Sequence, residues 1–331
     1  MRRRDFFGLA AAATIPLRAE RIDIGTIKSR GTRKPEIVYK SPYSKPNALQ
    51  ATKEGLWVQD QGASPEHVTL VNYADGKTIR DFTADIVGAS GVTVDDDGVM
   101  WLTSTHNSLI VSCSPQDGKT IAKYWTPGAG RIYAMKGDPP AARSPLTSPF
   151  PPPEGRGGGQ GRGRGDAGGG DAAAGAGGAA GAAAAGGAPG AGRAGGGGGG
   201  RGRGGLPGQL GLDATTGLSG TGAHGIEHRD GLLYFANPPA RRIYVMEPKT
   251  WVVQDFWPVP GNRPHGVGWE GDTLWNGDSN FRAFFRFDMK TGKVVEKIQL
   301  TEKDPLIHGV TIHDGYMWYC DDVGYICNFK L

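Results

Sequence analysis

The sequence predicts an all-β fold, a five-bladed β-propeller built from four-stranded antiparallel blades. Three observations carry this. His-Gly pairs begin at His224, His265 and His308, 41 and 43 residues apart, and a period of roughly 40–50 residues is that of propeller blades. After each pair an apolar-aromatic step recurs: Leu233-Tyr234, Leu274-Trp275 and Met317-Trp318. Each step leads to a polar residue, Asn237, Asp278 or Asp321, 13 residues beyond its His. Two earlier segments fit the same frame. Asn47 is followed by Leu56-Trp57 and Asp60 at the same offset, and Ser90 by Met100-Trp101 and Ser104 with one more residue in the turn.

From the N-terminus, Arg2, Arg3 and Arg4 precede Phe6, Phe7 and a short apolar run from Gly8 to Leu17. Residues 1–20 look like a twin-arginine export signal. The run is shorter than the ~20 residues needed to cross a bilayer, and no later segment of bulky apolar residues approaches that length. The expectation is a monomeric protein exported to the periplasm or medium, with no transmembrane span in the mature chain.

The first part of the propeller is expected over 35–143. Its units continue with a third strand, a turn such as ADGKT (74–78) or QDGKT (116–120), and a fourth strand. Gly in these turns supplies positive φ. A Pro-rich stretch and Gly/Ala/Arg repeats then fill 144–205. With almost nothing bulky and apolar to bury, this tract is expected to be a disordered insertion. The second part of the propeller occupies 206–331. Its last unit has only three strands, so EIVYK (36–40) is expected to supply the fourth and close the ring. An alternative adds a degenerate sixth blade around GRIYAMKG (130–137).

The formal charge is +4. Ten arginines lie in the signal and the low-complexity tract (Arg2, Arg3, Arg4, Arg18, Arg156, Arg162, Arg164, Arg193, Arg201 and Arg203). Without them the body is not basic, and the tract lacks the interleaved aromatics that stack on single strands. Nucleic acid is not an expected partner. Of three cysteines, Cys320 and Cys327 flank DDVGYI. They read either as a cross-hairpin disulfide or as two small hydrophobes on neighbouring strands.

The His-Gly, Leu-Trp, Asp frame resembles the repeat of the virginiamycin B lyase-like propellers, within the wider NHL-, YncE- and SMP-30-like superfamily. The resemblance covers about 47–130 and 223–331. It implies a propeller fold and, for activity, lyase chemistry using a His base with a metal nearby. An SMP-30-like lactonase would instead use Glu, Asn and Asp on a metal.

In a propeller the start of the first strand and the end of the second share one face. That face should gather Asn47, Ser90, His224, His265 and His308 with Asp60, Ser104, Asn237, Asp278 and Asp321. Three readings stand. His224, His265 and His308, with Asp321, could hold a divalent metal, three imidazoles leaving an open position for water. Alternatively His265 or His308 acts as a general base, with Asp278 as the acidic partner. Otherwise His-Gly is blade architecture, with Gly permitting close approach at the axis and Asp or Asn holding the next loop. Asp60, Asn237, Arg263 and Arg282 are the expected substrate contacts. His106 is placed to reach the same face from a loop. No GxSxG, HExxH or Walker A motif occurs. The expected function is a lyase or hydrolase acting on a small molecule at the channel mouth. The alternative is a non-catalytic module binding a peptide, carbohydrate or protein.

Overall fold

The computed structural model describes residues 22–127, 134–135, 222–238, 240–261 and 263–331. The expected signal and the 144–205 tract lie outside the described residues. Five antiparallel blades form the ring, as the repeat predicts. Blade 1 runs Pro46–Ala51, Leu56–Asp60, His67–Val71 and Thr78–Thr83. Blade 2 runs Ala89–Val94, Met100–Ser104, Leu109–Cys113 and Thr120–Trp125. Blade 3 runs Ile226–Arg229, Leu232–Asn237, Arg242–Glu247 and Val252–Pro258. Blade 4 runs Pro264–Glu270, Thr273–Asp278, Ala283–Asp288 and Lys293–Gln299. Blade 5 has Val310–His313, Tyr316–Cys320 and Tyr325–Lys330. Its fourth strand is Glu36–Lys40, antiparallel to Tyr325–Lys330, so the N-terminal strand closes the ring as expected.

The recurring aromatic explains why the blades hold together. Each of the five apolar clusters lies in one seam between neighbouring blades, and each takes one repeat aromatic: Trp57, Trp101, Tyr234, Trp275 or Trp318. Burying a large ring in every seam supplies about 2–3 kcal/mol of apolar transfer per aromatic. Blade 2 packs directly on blade 3, with Trp101 stacked on Trp251 at 6.1 Å and Tyr124 on Trp251 at 4.1 Å. A sixth blade therefore has no place between them. Of the GRIYAMKG segment, the described pair Ala134–Met135 lies parallel to Val252 and Val253, an added edge on blade 3. Lys28–Thr32, before the expected propeller start, adds a parallel edge to blade 4.

The His-Gly glycines sit where inner strands touch. A Cβ on Gly91 would lie 2.2 Å from the His224 carbonyl oxygen, and one on Gly266 would lie 2.1 Å from the Val310 nitrogen. On Gly225 it would meet the Gly266 Cα at 2.5 Å, and on Gly309 the Ala48 Cα at 2.5 Å. These residues and their successors close the axis to a space of about 140 Å³ that does not admit water.

All three cysteines are free. Cys327 lies opposite Tyr319 and Cys320 opposite Ile326. Side chains alternate across a strand, so the two thiols face opposite sides of blade 5, one into each seam. That geometry rules out a bridge between them.

Candidate functional site

The first residue of each inner segment does reach one face, and the five side chains join into a ring. His308 Nδ1 hydrogen-bonds Asn47 Oδ1. Asn47 Nδ2 donates to the Ala89 carbonyl at 2.8 Å and to Ser90 Oγ at 3.0 Å. Ser90 Oγ lies 2.9 Å from His224 Nδ1. The His224 and His265 rings stack with centroids 4.5 Å apart, and His265 meets His308 edge-on at 4.4 Å. The circuit thus runs through all five blades.

The partners fix two tautomers. The Asn47 amide is oriented by its Nδ2 bond to a carbonyl, so its Oδ1 can only accept and His308 Nδ1 must carry the proton. His308 Nε2 is then a bare lone pair, buried and without a hydrogen-bond partner. Arg263 Nε donates to His265 Nε2 at 3.4 Å. Neutral His265 therefore carries its proton on Nδ1, which is also buried and unpartnered. An orphan donor and an orphan acceptor stand on adjacent rings. Such groups cost about 1–3 kcal/mol each when left unmade.

Burial sets the charge state. Desolvation pushes His224 down to about 3 and His308 to about 4, with Arg263 pushing the same way and Asp322 opposing it at His308. His265 is held well below its ordinary value by burial, then by His308, His224 and Arg263. All three are neutral imidazoles at neutral pH. Arg263 acts on each of them and is only half-buried, so it stands between the ring and solvent.

The residues at the end of the second strand serve differently. Asp278 accepts from the Arg263 and Phe281 amides at 3.1 and 3.0 Å. Asp60 accepts from Lys45 and Gly62 at 2.8 and 2.6 Å, and Asp321 from Val323 and Tyr325 at 3.0 and 2.8 Å. Ser104 Oγ accepts from the Val87 amide at 2.7 Å. Asn237 bridges the Pro127 carbonyl and the Ala240 amide. These side chains hold loops in place by side-chain-to-backbone bonds. In blade 4 the consequence is specific, because Asp278 sets the backbone from which Arg263 projects. Arg282 donates to the Asp304 carbonyl at 2.8 Å and so braces a loop.

The three histidines do not form a ligand set as arranged. The His224 and His265 rings are stacked, while His224 and His308 commit only Nδ1, to Ser90 and Asn47, as ligating histidines also do. Among the described residues, no group of three or more His, Cys, Asp or Glu could hold a metal ion. The expected divalent-metal site on His224, His265, His308 and Asp321 is thus not gathered as a ready ligand set among the described residues.

Asp322 joins the face unannounced by the repeat, and His106 reaches it from a loop as the sequence suggests. Asp322 lies 3.8 Å from His308 Nε2 with its side chain about half exposed. Its signal was its place next to the repeat carboxylate Asp321. His106, on the short 3-10 turn Thr105–Asn107, is exposed and close enough for its charge to act on His224. Pro127 and Gly222 also touch this face through Asn237 and Thr105.

No protein-family model matches the chain, and no curated protein sequence matches it. Solved structures do. A glutaminyl cyclase from Myxococcus xanthus superposes with a TM-score of 0.51 at 7% identity, over 92% of this chain and 99% of that one. A selenomethionine-substituted virginiamycin B lyase from Staphylococcus aureus gives 0.45 at 14% identity, over 90% and 99%. A streptogramin B lyase gives 0.45 at 13% identity, over 90% and 98%. The likeness to the cyclase is, at 7% identity, one of fold, and the fold of this chain is the β-propeller that the repeat implies.

Proposed function

We propose that the five-residue ring is the floor of an active site, in which His308 Nε2 removes a proton from a small molecule or peptide bound at the mouth. The observation that carries this is the pair of orphan atoms, His308 Nε2 and His265 Nδ1–H, on rings 4.4 Å apart. A substrate offering one proton and one acceptor oxygen satisfies both. Asn47 holds the base in its Nδ1–H tautomer, and burial keeps it unprotonated, as a general base requires. Arg263 supplies the fixed positive charge beside a developing oxyanion, and Asp278 positions its backbone. The fold supports lyase-type elimination or hydrolysis by analogy only.

The test is turnover of a panel of lactones and cyclic depsipeptides, followed by mass spectrometry. Elimination opens the ring without a change of mass, whereas hydrolysis adds one water. His308→Gln, with a wild-type circular dichroism spectrum, is expected to lose at least about 100-fold in rate, the low end of general-base contributions. Undiminished turnover in that variant would contradict the assignment.

A second reading, a non-catalytic binding propeller, is favoured by one observation: a cavity of about 380 Å³ lies on the other face of the ring. We further infer export, supported by the Arg2–Arg4 and Gly8–Leu17 pattern. Replacing Arg3 and Arg4 by Lys should leave the full-length precursor in the cytoplasm. Unchanged export would overturn that reading.

A further inference from the structure

The end of the propeller opposite the histidine ring holds a cavity of about 380 Å³ between blades 2 and 3. That volume falls among small-molecule sites, which run from ~300 to ~1,000 Å³. Its walls are aromatic and aliphatic on the blade 2 side, with Trp101, Tyr124 and Ile121, and Lys249 and His228 enter from blade 3. The aromatic wall is pre-formed. Tyr124 stacks on Trp251, and Trp101 Nε1 donates to Asp95 Oδ2 at 2.8 Å. Ile121, 63% exposed, lines the cavity and adds apolar surface to its wall.

The rim carries Asp95, Asp96 and Asp97 against one ammonium, Lys249. Asp95 is committed, since its oxygens accept from the Val99 and Asp97 amides and from Trp101. Asp97 faces Lys249 at 3.3 Å. Asp96 is left with the His228 imidazole at 3.9 Å and a side chain 85% exposed. The site therefore offers a rigid aromatic-aliphatic wall and one under-neutralised carboxylate at its edge.

We propose that this cavity binds an organic cation: a protonated amine or guanidinium on an aromatic or aliphatic body. The body lies against Tyr124, Trp101 and Ile121, and the cation pairs with Asp96. Rings also attract cations through their faces, which adds to selection for positive charge. This site does not share residues with the histidine ring, so it stands whether or not the ring is catalytic.

The probes are phenethylamine, 2-phenylethanol and phenylacetate, titrated at low ionic strength into the full chain labelled with 5-fluorotryptophan. The Trp101 resonance is assigned from Trp101→Phe. Phenethylamine is expected to shift that resonance saturably and to bind at least ten-fold more tightly than the alcohol, with phenylacetate weakest. Asp96→Asn should weaken the amine by about three-fold or more and leave the alcohol unchanged. Ile121→Ser should weaken both. His265→Ala should change neither. Equal binding of amine and alcohol, full amine affinity in Asp96→Asn, or no response to the amine at millimolar concentration would each overturn the proposal.

Discussion

His308 of the last blade is hydrogen-bonded through Nδ1 to Asn47 Oδ1 of the first, across the seam where the ring closes. The contact ties the electronic state of a candidate base to the joining of chain segments 261 residues apart. It follows that ring closure and site geometry should fail together.

The neutral histidines make the fold sensitive to acid. Their folded values lie below the ordinary 6.5, at about 3 for His224 and about 4 for His308. Below pH 6.5 the unfolded chain takes up protons that the folded chain refuses, so stability falls as pH falls from about 6.5 towards 4. Urea midpoints measured from pH 7 to pH 4 should show this decline, and His224→Gln should make it shallower.

Glu227 predicts the opposite slope, over a window that overlaps that of the three histidines and extends above it. It is fully buried on the axis below the glycine waist, and desolvation raises it to about 8, against hydrogen bonds from Thr93, Gln50 and Thr311. Between about pH 4.5 and pH 8 the folded state holds a proton that the unfolded state has lost. Stability therefore drops as pH rises through that window and then levels off. Glu227→Gln should match wild type near pH 4.5 and exceed it at pH 8 by up to a few kcal/mol. Thermal melts at the two pH values check this.

The glycine waist separates architecture from tolerance. Gly309→Ala would drive a Cβ to 2.5 Å from the Ala48 backbone at the closing seam. It should cost about 3 kcal/mol or more, at the upper end of overpacking. Gly231→Ala meets nothing within 4 Å and carries only the strain of φ +75, about 1 kcal/mol. Equal midpoints for the two variants in denaturant would contradict the close-approach argument.

The fold was legible because the repeat carries two physical demands at fixed spacing: a bulky ring for each seam, and a glycine wherever inner strands meet. Trp57, Trp101, Tyr234, Trp275 and Trp318 do enter five different seams. The closing role of Glu36–Lys40 followed from counting strands in the last unit. The parallel edge pairing of Lys28–Thr32 and Ala134–Met135 was not legible, since such a pair leaves no local periodicity. The site was legible as a set of positions and not as roles. Spacing brings His224, His265 and His308 to one face, but which nitrogen each commits depends on neighbours from other blades. The loop-holding work of Asp60, Asp278 and Asp321 was among the open readings, and only the backbone amides around them show it. The cavity beside Asp96 lies between blades whose sequences are separated by the insertion, so no local pattern announces it.

The most direct test of the central claim is a long-range ¹H–¹⁵N correlation spectrum of protein labelled at histidine nitrogens, recorded from pH 8 to pH 4.5 and assigned with His308→Gln. His308 should show a protonated Nδ1 and a bare Nε2 throughout, with no titration until near the acid limit of folding. A His308 signal in the Nε2–H tautomer, or one titrating near 6.5, would contradict the account of a buried base held ready by Asn47.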